Sequence, residues 1–211
     1  MARRTMPDTT PDTGRDDGST GTWRLFVAID VGAAAREAIR AAQERCRAKG
    51  LPLRPIDPAG AHLTLRFLGA TDPACVPALV AALRAVAAAH APFALHTAAP
   101  GAFPSVARAR VLWLGLGGPL AQLLALQRAT EAALIGCGVP RETRPFVPHL
   151  TIERIAASAA SPAARITALL ATLPVAAAPL PVMALHLVRS SLGTGGAKYT
   201  TLLVAPLCGA A

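Results

Sequence analysis

Short segments of two periodicities follow one another along the chain from residue 23 onwards. Runs rich in branched and other apolar residues predict strands, whereas apolar residues at helical spacing between arginines and glutamates predict helices. The predicted strands cover residues 24–30, 61–68, 93–98, 111–116, 149–154, 182–189 and 198–204. The predicted helices cover residues 33–49, 76–89, 120–135 and 163–173, and Gly50 and Gly136 are expected to end the first and third of them.

The order of these segments predicts an α+β fold. Strands and helices alternate, but residues 101–110 and 191–197 have the composition of connections between adjacent antiparallel strands. We therefore expect mixed sheets rather than a doubly wound parallel sheet, in one domain over residues 23–211. Residues 1–22 are rich in Thr, Asp, Gly and Pro, which predicts a disordered tail.

The net charge of +9 becomes more informative once the chain is divided. Residues 1–21 hold three arginines and four aspartates, so the remaining 190 residues carry +10. Such an excess favours anionic partners, among them nucleic acid and phosphorylated small molecules. A genome-wide bias towards arginine would produce the same excess, so charge alone does not identify the partner.

Hydropathy and cysteine spacing exclude several classes of protein. With 53% hydrophobic residues the chain can bury a sizeable core, yet Arg, His or Pro interrupts every run before the roughly 20 apolar residues of a membrane span. No apolar region follows the N-terminal arginines, so we expect a cytoplasmic protein. Four widely separated cysteines suggest buried free thiols and neither zinc nor a redox dithiol.

One short pattern occurs twice, a histidine and a threonine separated by one apolar residue. The copies are His62-Leu63-Thr64-Leu65 and His149-Leu150-Thr151-Ile152, whose histidines lie 87 residues apart. Because side chains alternate between the two faces of a strand, each histidine shares a face with its threonine while the apolar residues face the core. Each strand is thus predicted to hold an imidazole and a hydroxyl on a rigid support.

Two imidazoles and two hydroxyls suit the hydrolysis of a phosphodiester. A base must accept a proton from water and an acid must protonate the departing ribose oxygen, and imidazole serves either role near neutrality. The hydroxyls of Thr64 and Thr151 can donate to phosphate oxygens. No Asp, Glu, His or Cys cluster surrounds either motif, so we expect neither metal nor cofactor. The local sequences do not distinguish the acid from the base.

With these motifs the chain resembles the bacterial and archaeal RNA 2′,3′-cyclic phosphodiesterases, also called 2′-5′ RNA ligases, of the two-histidine phosphoesterase superfamily. The resemblance runs from residue 24 to about residue 207. Its landmarks in order are RLFVAI at 24–29, HLTLRFLG at 62–69, VLWLG at 111–115, RPFVPHLTIER at 144–154 and LVRSSL at 187–192, followed by Tyr199 and Thr200.

The resemblance implies a bilobal fold in which two antiparallel sheets, flanked by helices, form a V-shaped cleft with one motif on each wall. It implies that His62 donates a proton to the leaving 3′-oxygen and that His149 accepts one from water, which leaves a 2′-phosphate. The implied partner is an RNA with a 2′,3′-cyclic phosphate end, such as a tRNA fragment or a small nucleotide. We expect a monomer.

Arg154 is a further candidate, since the resemblance implies a basic residue there for phosphate contact. Simple alternation puts Arg154 on the face opposite His149, so a strand end or a bulge must redirect it. Arg66 has the parity of His62 and is expected either to line the cleft or to form an outer salt bridge. Phe67 has the parity of core residues, and Tyr199 is expected to be structural.

Three alternatives remain open on the sequence. A sister enzyme acting on a small cyclic phosphate would need the same groups. Joining of 2′-5′ RNA ends is the reverse of the same chemistry. An RNA-binding module without turnover would use the same basic cleft, although binding alone does not require two titrating side chains.

Overall fold

The computed structural model describes residues 21–50, 53–155, 163–173, 177–193 and 196–210. Apart from Gly21 and Thr22, the predicted tail lies outside these residues. The strands are β1 (Trp23–Asp30), β2 (Leu53–Pro55), β3 (His62–Thr71), β4 (Phe93–Phe103), β5 (Val111–Gly117), β6 (His149–Ile155), β7 (Pro179–Val182), β8 (Ala184–Gly193) and β9 (Gly196–Pro206). The helices are α1 (Gly32–Ala48), α2 (Val76–Ala88), α3 (Leu120–Gly136) and α4 (Ala163–Thr172).

Every predicted helix and strand is present, with two strands that the pattern did not reveal. These are β2 and β7, which have three and four residues and are rich in proline. Helix α3 continues through Gly136, and the chain turns at Gly138, whose φ of 85° is readily adopted only by glycine. Strand β4 extends five residues beyond its predicted end because it pairs with the whole length of β5.

The strands form two sheets, ordered β3-β1-β8-β9 and β2-β6-β5-β4-β7. The α+β class and the two antiparallel sheets around a V-shaped cleft are confirmed. The expectation of mixed sheets is wrong, because each pairing among the described strands is antiparallel. Helices α1 and α2 carry the chain from one sheet to the other, so they do not join parallel neighbours.

Each sheet is covered on its outer face by a pair of helices. Helix α2 packs on β8 and β9 and α3 on β3, whereas α1 packs on β6 and β7 with α4 beside it. The helices can cover the sheets because each has one apolar face. Helix α1, for example, buries four residues at spacings of three and four, namely Ala35, Ile39, Ala42 and Cys46. One continuous core of leucine, isoleucine, valine and alanine joins both sheets to their helices. No described helix is long and apolar enough to cross a bilayer.

The cysteines are free thiols, as expected, but only one of them is fully buried. Cys46 lies on the buried face of α1, Cys137 is half-buried, and Cys75 and Cys208 are exposed. Burial raises the pKa of the Cys46 thiol to about 12, with the nearby Glu153 acting in the same direction. The thiolate of Cys46 is therefore not formed near neutrality.

Candidate active site

His62 is the first residue of β3, and three contacts hold its ring. Nδ1 donates a hydrogen bond to the carbonyl of Gly60 at 2.8 Å. The ring stacks on Phe26 with centroids 4.7 Å apart, and Tyr199 meets it edge-on at 5.2 Å. Because the hydrogen bond keeps a proton on Nδ1, Nε2 is the nitrogen that accepts or donates a proton in exchange with a substrate.

His149 begins β6 in the same way. Its Nδ1 donates to the carbonyl of Val147 at 2.7 Å, again two residues earlier in the chain. Phe103 lies edge-on to the imidazole at 4.8 Å. The two motifs thus have the same local geometry, and each leaves Nε2 as the exchanging atom.

The threonines follow the predicted alternation. Thr64 and Thr151 are half-buried on the histidine faces, whereas Leu63 and Leu150 are completely buried behind them. Neither threonine hydroxyl is hydrogen-bonded to another described residue. Both hydroxyls are therefore available to a ligand beside the imidazoles.

Each motif strand contains a bulge three residues after its histidine. In β3 the register moves from Thr64 opposite Ala28 to Arg66 opposite Val27, which leaves Leu65 as the extra residue. In β6 it moves from Thr151 opposite Trp113 to Glu153 opposite Leu112, with Ile152 as the extra residue. A bulge puts two consecutive side chains on one face and reverses the parity of the residues that follow.

The bulges decide where the remaining candidates lie. Glu153 is buried with Ile152, and Arg154 is exposed on the face of His149, as its proposed contact with phosphate required. Arg66 is buried away from the face of His62, so the expectation that it could line the cleft is wrong. Phe67 is 42% exposed and lies 6.0 Å from Phe26, so its assignment to the core is also wrong.

Strands β3 and β6 are in contact, which brings the two motifs and Arg154 close to one another, and the charges of these groups act on the pKa of the histidines. Burial lowers the pKa of His62, the bond to Gly60 opposes this, and charge on His149 and Arg154 lowers it further. Burial also lowers the pKa of His149, which Arg154 lowers further. Asp30, the cross-strand neighbour of His62, raises the pKa of His62. Such coupling requires short distances between charges.

Arg66 connects the first motif to the segment that leads into the second. Its guanidinium meets Glu131 of α3 at 2.5 Å and Glu142 at 3.5 Å, and it donates to the carbonyl of Pro140. Glu142 also binds Arg144 through two side-chain hydrogen bonds, which hold the pKa of Glu142 down at about 2. The outer salt bridge considered for Arg66 is therefore a buried one, and Arg144 is occupied by Glu142.

The family model of the 2′-5′ RNA ligase superfamily matches residues 31–194 of this chain, which include both motifs. The chain belongs to this superfamily. Its curated relatives include the RNA 2′,3′-cyclic phosphodiesterase of Thermus thermophilus, 33% identical over 85% of this chain and 87% of that protein. The enzyme of the same name from Geobacillus stearothermophilus is 33% identical over 88% of this chain, which spans only 57% of that protein.

Several solved structures superpose over most of the chain. A Thermus thermophilus crystal structure matches 88% of this chain and 98% of its own with a TM-score of 0.74 and 28% identity. Escherichia coli LigT complexed with 3′-AMP matches equal shares with a TM-score of 0.67 and 30% identity. Usb1 of Kluyveromyces marxianus shares the fold alone, at 13% identity and a TM-score of 0.59.

In this member of the superfamily, aromatic side chains surround both histidines, among them Phe103 and Trp113, which the sequence pattern did not single out, and Tyr199, for which only a structural role was expected. Tyr199 lies near the start of β9 and contacts His62 and Phe26, so it belongs to the site. Trp113 lies beside His149 at 6.3 Å and covers Gly101, where a Cβ would come within 2.2 Å of the indole. Trp113 lies opposite Thr151 in the pairing of β5 with β6, and this position indicates that Trp113 is near the second motif. The position is known only once the pairing of the two strands is known.

Metal-ligating side chains are not grouped in the described part of the chain. No three residues among its His, Cys, Asp and Glu side chains come together as the ligands of an ion would.

Proposed function

We propose that this member of the superfamily hydrolyses the 2′,3′-cyclic phosphodiester ends of RNA to 2′-phosphomonoesters, with two histidines and without a metal. The observation that carries the proposal is the pair His62 and His149, each with Nδ1 bonded to a backbone carbonyl and each within electrostatic reach of the other. One acid and one base are what the hydrolysis of a phosphodiester requires.

In the proposed reaction, a water molecule attacks phosphorus and gives its proton to Nε2 of His149. The bond from phosphorus to the 3′-oxygen breaks, and Nε2 of His62 protonates that oxygen. The 2′-oxygen keeps the phosphate. Thr64 and Thr151 donate to the non-bridging oxygens, and Arg154 compensates the negative charge that increases there. Proton exchange with solvent then restores both rings.

The charges around the rings support the assignment of the acid and the base. Asp30 raises the pKa of His62, and among the described residues no acidic group acts in that way on His149. A carboxylate near one imidazole favours its protonated form, which is the form of the proton donor. Arg154 favours the neutral form of both rings, and the neutral form of His149 is the form of the proton acceptor.

The similarity to RNA 2′,3′-cyclic phosphodiesterases supports RNA ends as the class of substrate. The curated relatives are RNA 2′,3′-cyclic phosphodiesterases, and Escherichia coli LigT has been crystallised with 3′-AMP. Phe67 and Tyr199 expose aromatic faces near His62, and aromatic faces stack on nucleobases. Since each chain carries both motifs, we expect a monomer, and we expect it to act in the cytoplasm.

The deciding experiment uses an oligoribonucleotide that ends in a 2′,3′-cyclic phosphate. The expected product carries a 2′-phosphate, and its position can be assigned by ³¹P NMR and by its resistance to further nuclease cleavage. A 3′-phosphate would reverse the assignment of the leaving oxygen. A substrate that is bound but never hydrolysed would leave the RNA-binding module as the function.

A second reaction uses the same acid and base with a different nucleophile. If the 5′-hydroxyl of another RNA replaces water, the same two histidines join the ends through a 2′-5′ linkage. The same assay, supplemented with a 5′-hydroxyl oligonucleotide in excess, measures the ratio of joining to hydrolysis. Turnover of small cyclic phosphates alone would favour the sister phosphodiesterase.

A further inference from the structure

Strand β2 lies at the edge of its sheet beside β6 and brings a second arginine next to Arg154. The pairing sets Leu53 opposite Ile155, Arg54 opposite Arg154 and Pro55 opposite Glu153. Residues directly opposite each other in an antiparallel pair point to the same face. Leu53 and Ile155 pack into the core, so Arg54 lies with Arg154 on the face that carries His149.

The two arginines form a pair of like charges without a balancing carboxylate. Both side chains are exposed, and neither makes an ion pair with an acidic residue in the described part of the chain. Cβ atoms of directly opposed residues lie about 5 Å apart, and like charges in such positions destabilise a sheet. A pair of this kind is expected where a polyanion binds and offsets the repulsion.

The acidic residue closest in sequence does not neutralise the pair. Glu153 is buried on the core side of the bulge, and its burial raises the pKa of its carboxyl group to about 7. Near neutral pH a large fraction of this group is therefore uncharged. The two guanidiniums consequently present an uncompensated double positive charge at the rim of the cleft.

The position of the pair relative to the histidines indicates which phosphate each arginine meets. The bulge in β6 leaves Arg154 exposed on the face of His149, and its charge lowers the pKa of both histidines, so in the proposed reaction Arg154 lies beside the reacting phosphate. Arg54 lies one strand further from β5, at the open edge of the sheet. In an RNA end, the nearest other anionic group is the phosphodiester on the 5′ side of the terminal nucleoside.

We propose that Arg54 binds this phosphodiester and so makes the enzyme prefer an oligoribonucleotide end to a mononucleoside 2′,3′-cyclic phosphate. The inference rests on the proposed function and adds a second phosphate subsite to it. Arg54 contacts no reacting atom, so its contribution belongs to KM and not to kcat. One exposed charge-assisted contact corresponds to about a five- to tenfold effect on kcat/KM.

The test compares adenosine 2′,3′-cyclic phosphate with the dinucleotide ApA that ends in the same cyclic phosphate. The variants are Arg54→Ala and Arg54→Lys, with Arg84→Ala as the matched control. Arg84 is an exposed arginine on α2, the helix that packs on the outer face of the other sheet. Circular dichroism and thermal melting check that all three variants are folded.

In Arg54→Ala we expect the ratio of kcat/KM for the dinucleotide to that for the mononucleotide to fall about five- to tenfold, through KM. Arg54→Lys should retain most of the ratio, and Arg84→Ala all of it. The slope of log KM against log salt for the dinucleotide should decrease by about 0.7 in Arg54→Ala, as expected when one contact with a single strand is lost.

Two outcomes would overturn the proposal. An unchanged ratio in Arg54→Ala would mean that the two arginines are only part of the solvated surface. Equal losses of kcat/KM on both substrates would mean that Arg54 supports β6 or positions Arg154. Either result would leave the proposed function intact. Failure of the wild-type protein to hydrolyse both substrates would instead remove the proposed function, and the subsite with it.

Discussion

Glu153 offers a test of how the bulge behind the second motif is stabilised. Its side chain is only 3% exposed, and Oε2 has no hydrogen-bond partner. Burial raises the pKa of the carboxyl group from 4.5 to about 7, although Arg47 opposes the shift. We therefore expect Glu153→Gln, which keeps the shape and removes the charge, to stabilise the protein at alkaline pH.

The sign follows from the order in which the two states lose the proton. The unfolded chain releases it near pH 4.5 and the folded chain only near a pKa of about 7. Between these values the folded state binds more protons, so stability falls as pH rises and the full penalty is present above pH 7. A difference of this size corresponds to about 3 kcal/mol, at 1.36 kcal/mol for each pKa unit.

The assay is urea denaturation of wild type and Glu153→Gln from pH 4.5 to 8.5. We expect similar stabilities at the acid end and a gain in the variant that approaches about 3 kcal/mol at pH 8, or on the order of 6–12 °C in Tm. Glu44→Gln, on the exposed side of α1, is the matched control and should change little. Parallel curves for Glu153→Gln and wild type would refute the reasoning.

Three further predictions concern the chemistry of the site, and a fourth concerns the stability that Arg66 contributes. Activity should survive excess EDTA, since both proton transfers are assigned to histidines; loss with EDTA and recovery with a divalent ion would contradict this. The rate should follow a bell-shaped dependence on pH with its maximum below about pH 6.5, because burial lowers the pKa of both rings. His62→Ala and His149→Ala should each lower kcat by about 10²–10⁴-fold, and Thr64→Ala and Thr151→Ala should lower it less. A substrate with a better 3′ leaving group should restore activity only in His62→Ala, because only the proton donor's task becomes easier. Arg66→Met should lower the free energy of unfolding by about 3 kcal/mol, because it removes the buried guanidinium that bridges Glu131 and Glu142, and only Glu142 keeps another arginine, Arg144. The control Arg40→Met breaks an exposed ion pair with Glu37 and should change the free energy of unfolding by less than about 1 kcal/mol. Equal effects of the two substitutions would contradict the stabilising role of the Arg66 network.

Local sequence determined the features that depend on neighbours along the chain. Alternation in a strand requires only that consecutive side chains point to opposite faces, so the shared faces of His62 with Thr64 and of His149 with Thr151 were predictable. Helix periodicity is equally local, which is why all four helices were found. The roles of the two histidines, in contrast, came only from the family resemblance, because the motifs are alike locally.

Tertiary structure decided everything that depends on which strands pair and in which register. The bulges at Leu65 and Ile152 exist because the partner strands β1 and β5 have one residue fewer there, and no pattern within β3 or β6 records this. They buried Arg66 and exposed Phe67, against the alternation, and they turned Arg154 towards the histidines.

Distant contacts were equally invisible to the sequence. Tyr199 reaches His62 across 137 residues of chain because β8 and β9 form a hairpin that joins the sheet of β3. Arg54 faces Arg154 because a strand of three residues, too short to show a period, pairs with the edge of β6. The chain therefore specified the chemical groups, and the packing of its sheets decided which of them lie close to the two histidines.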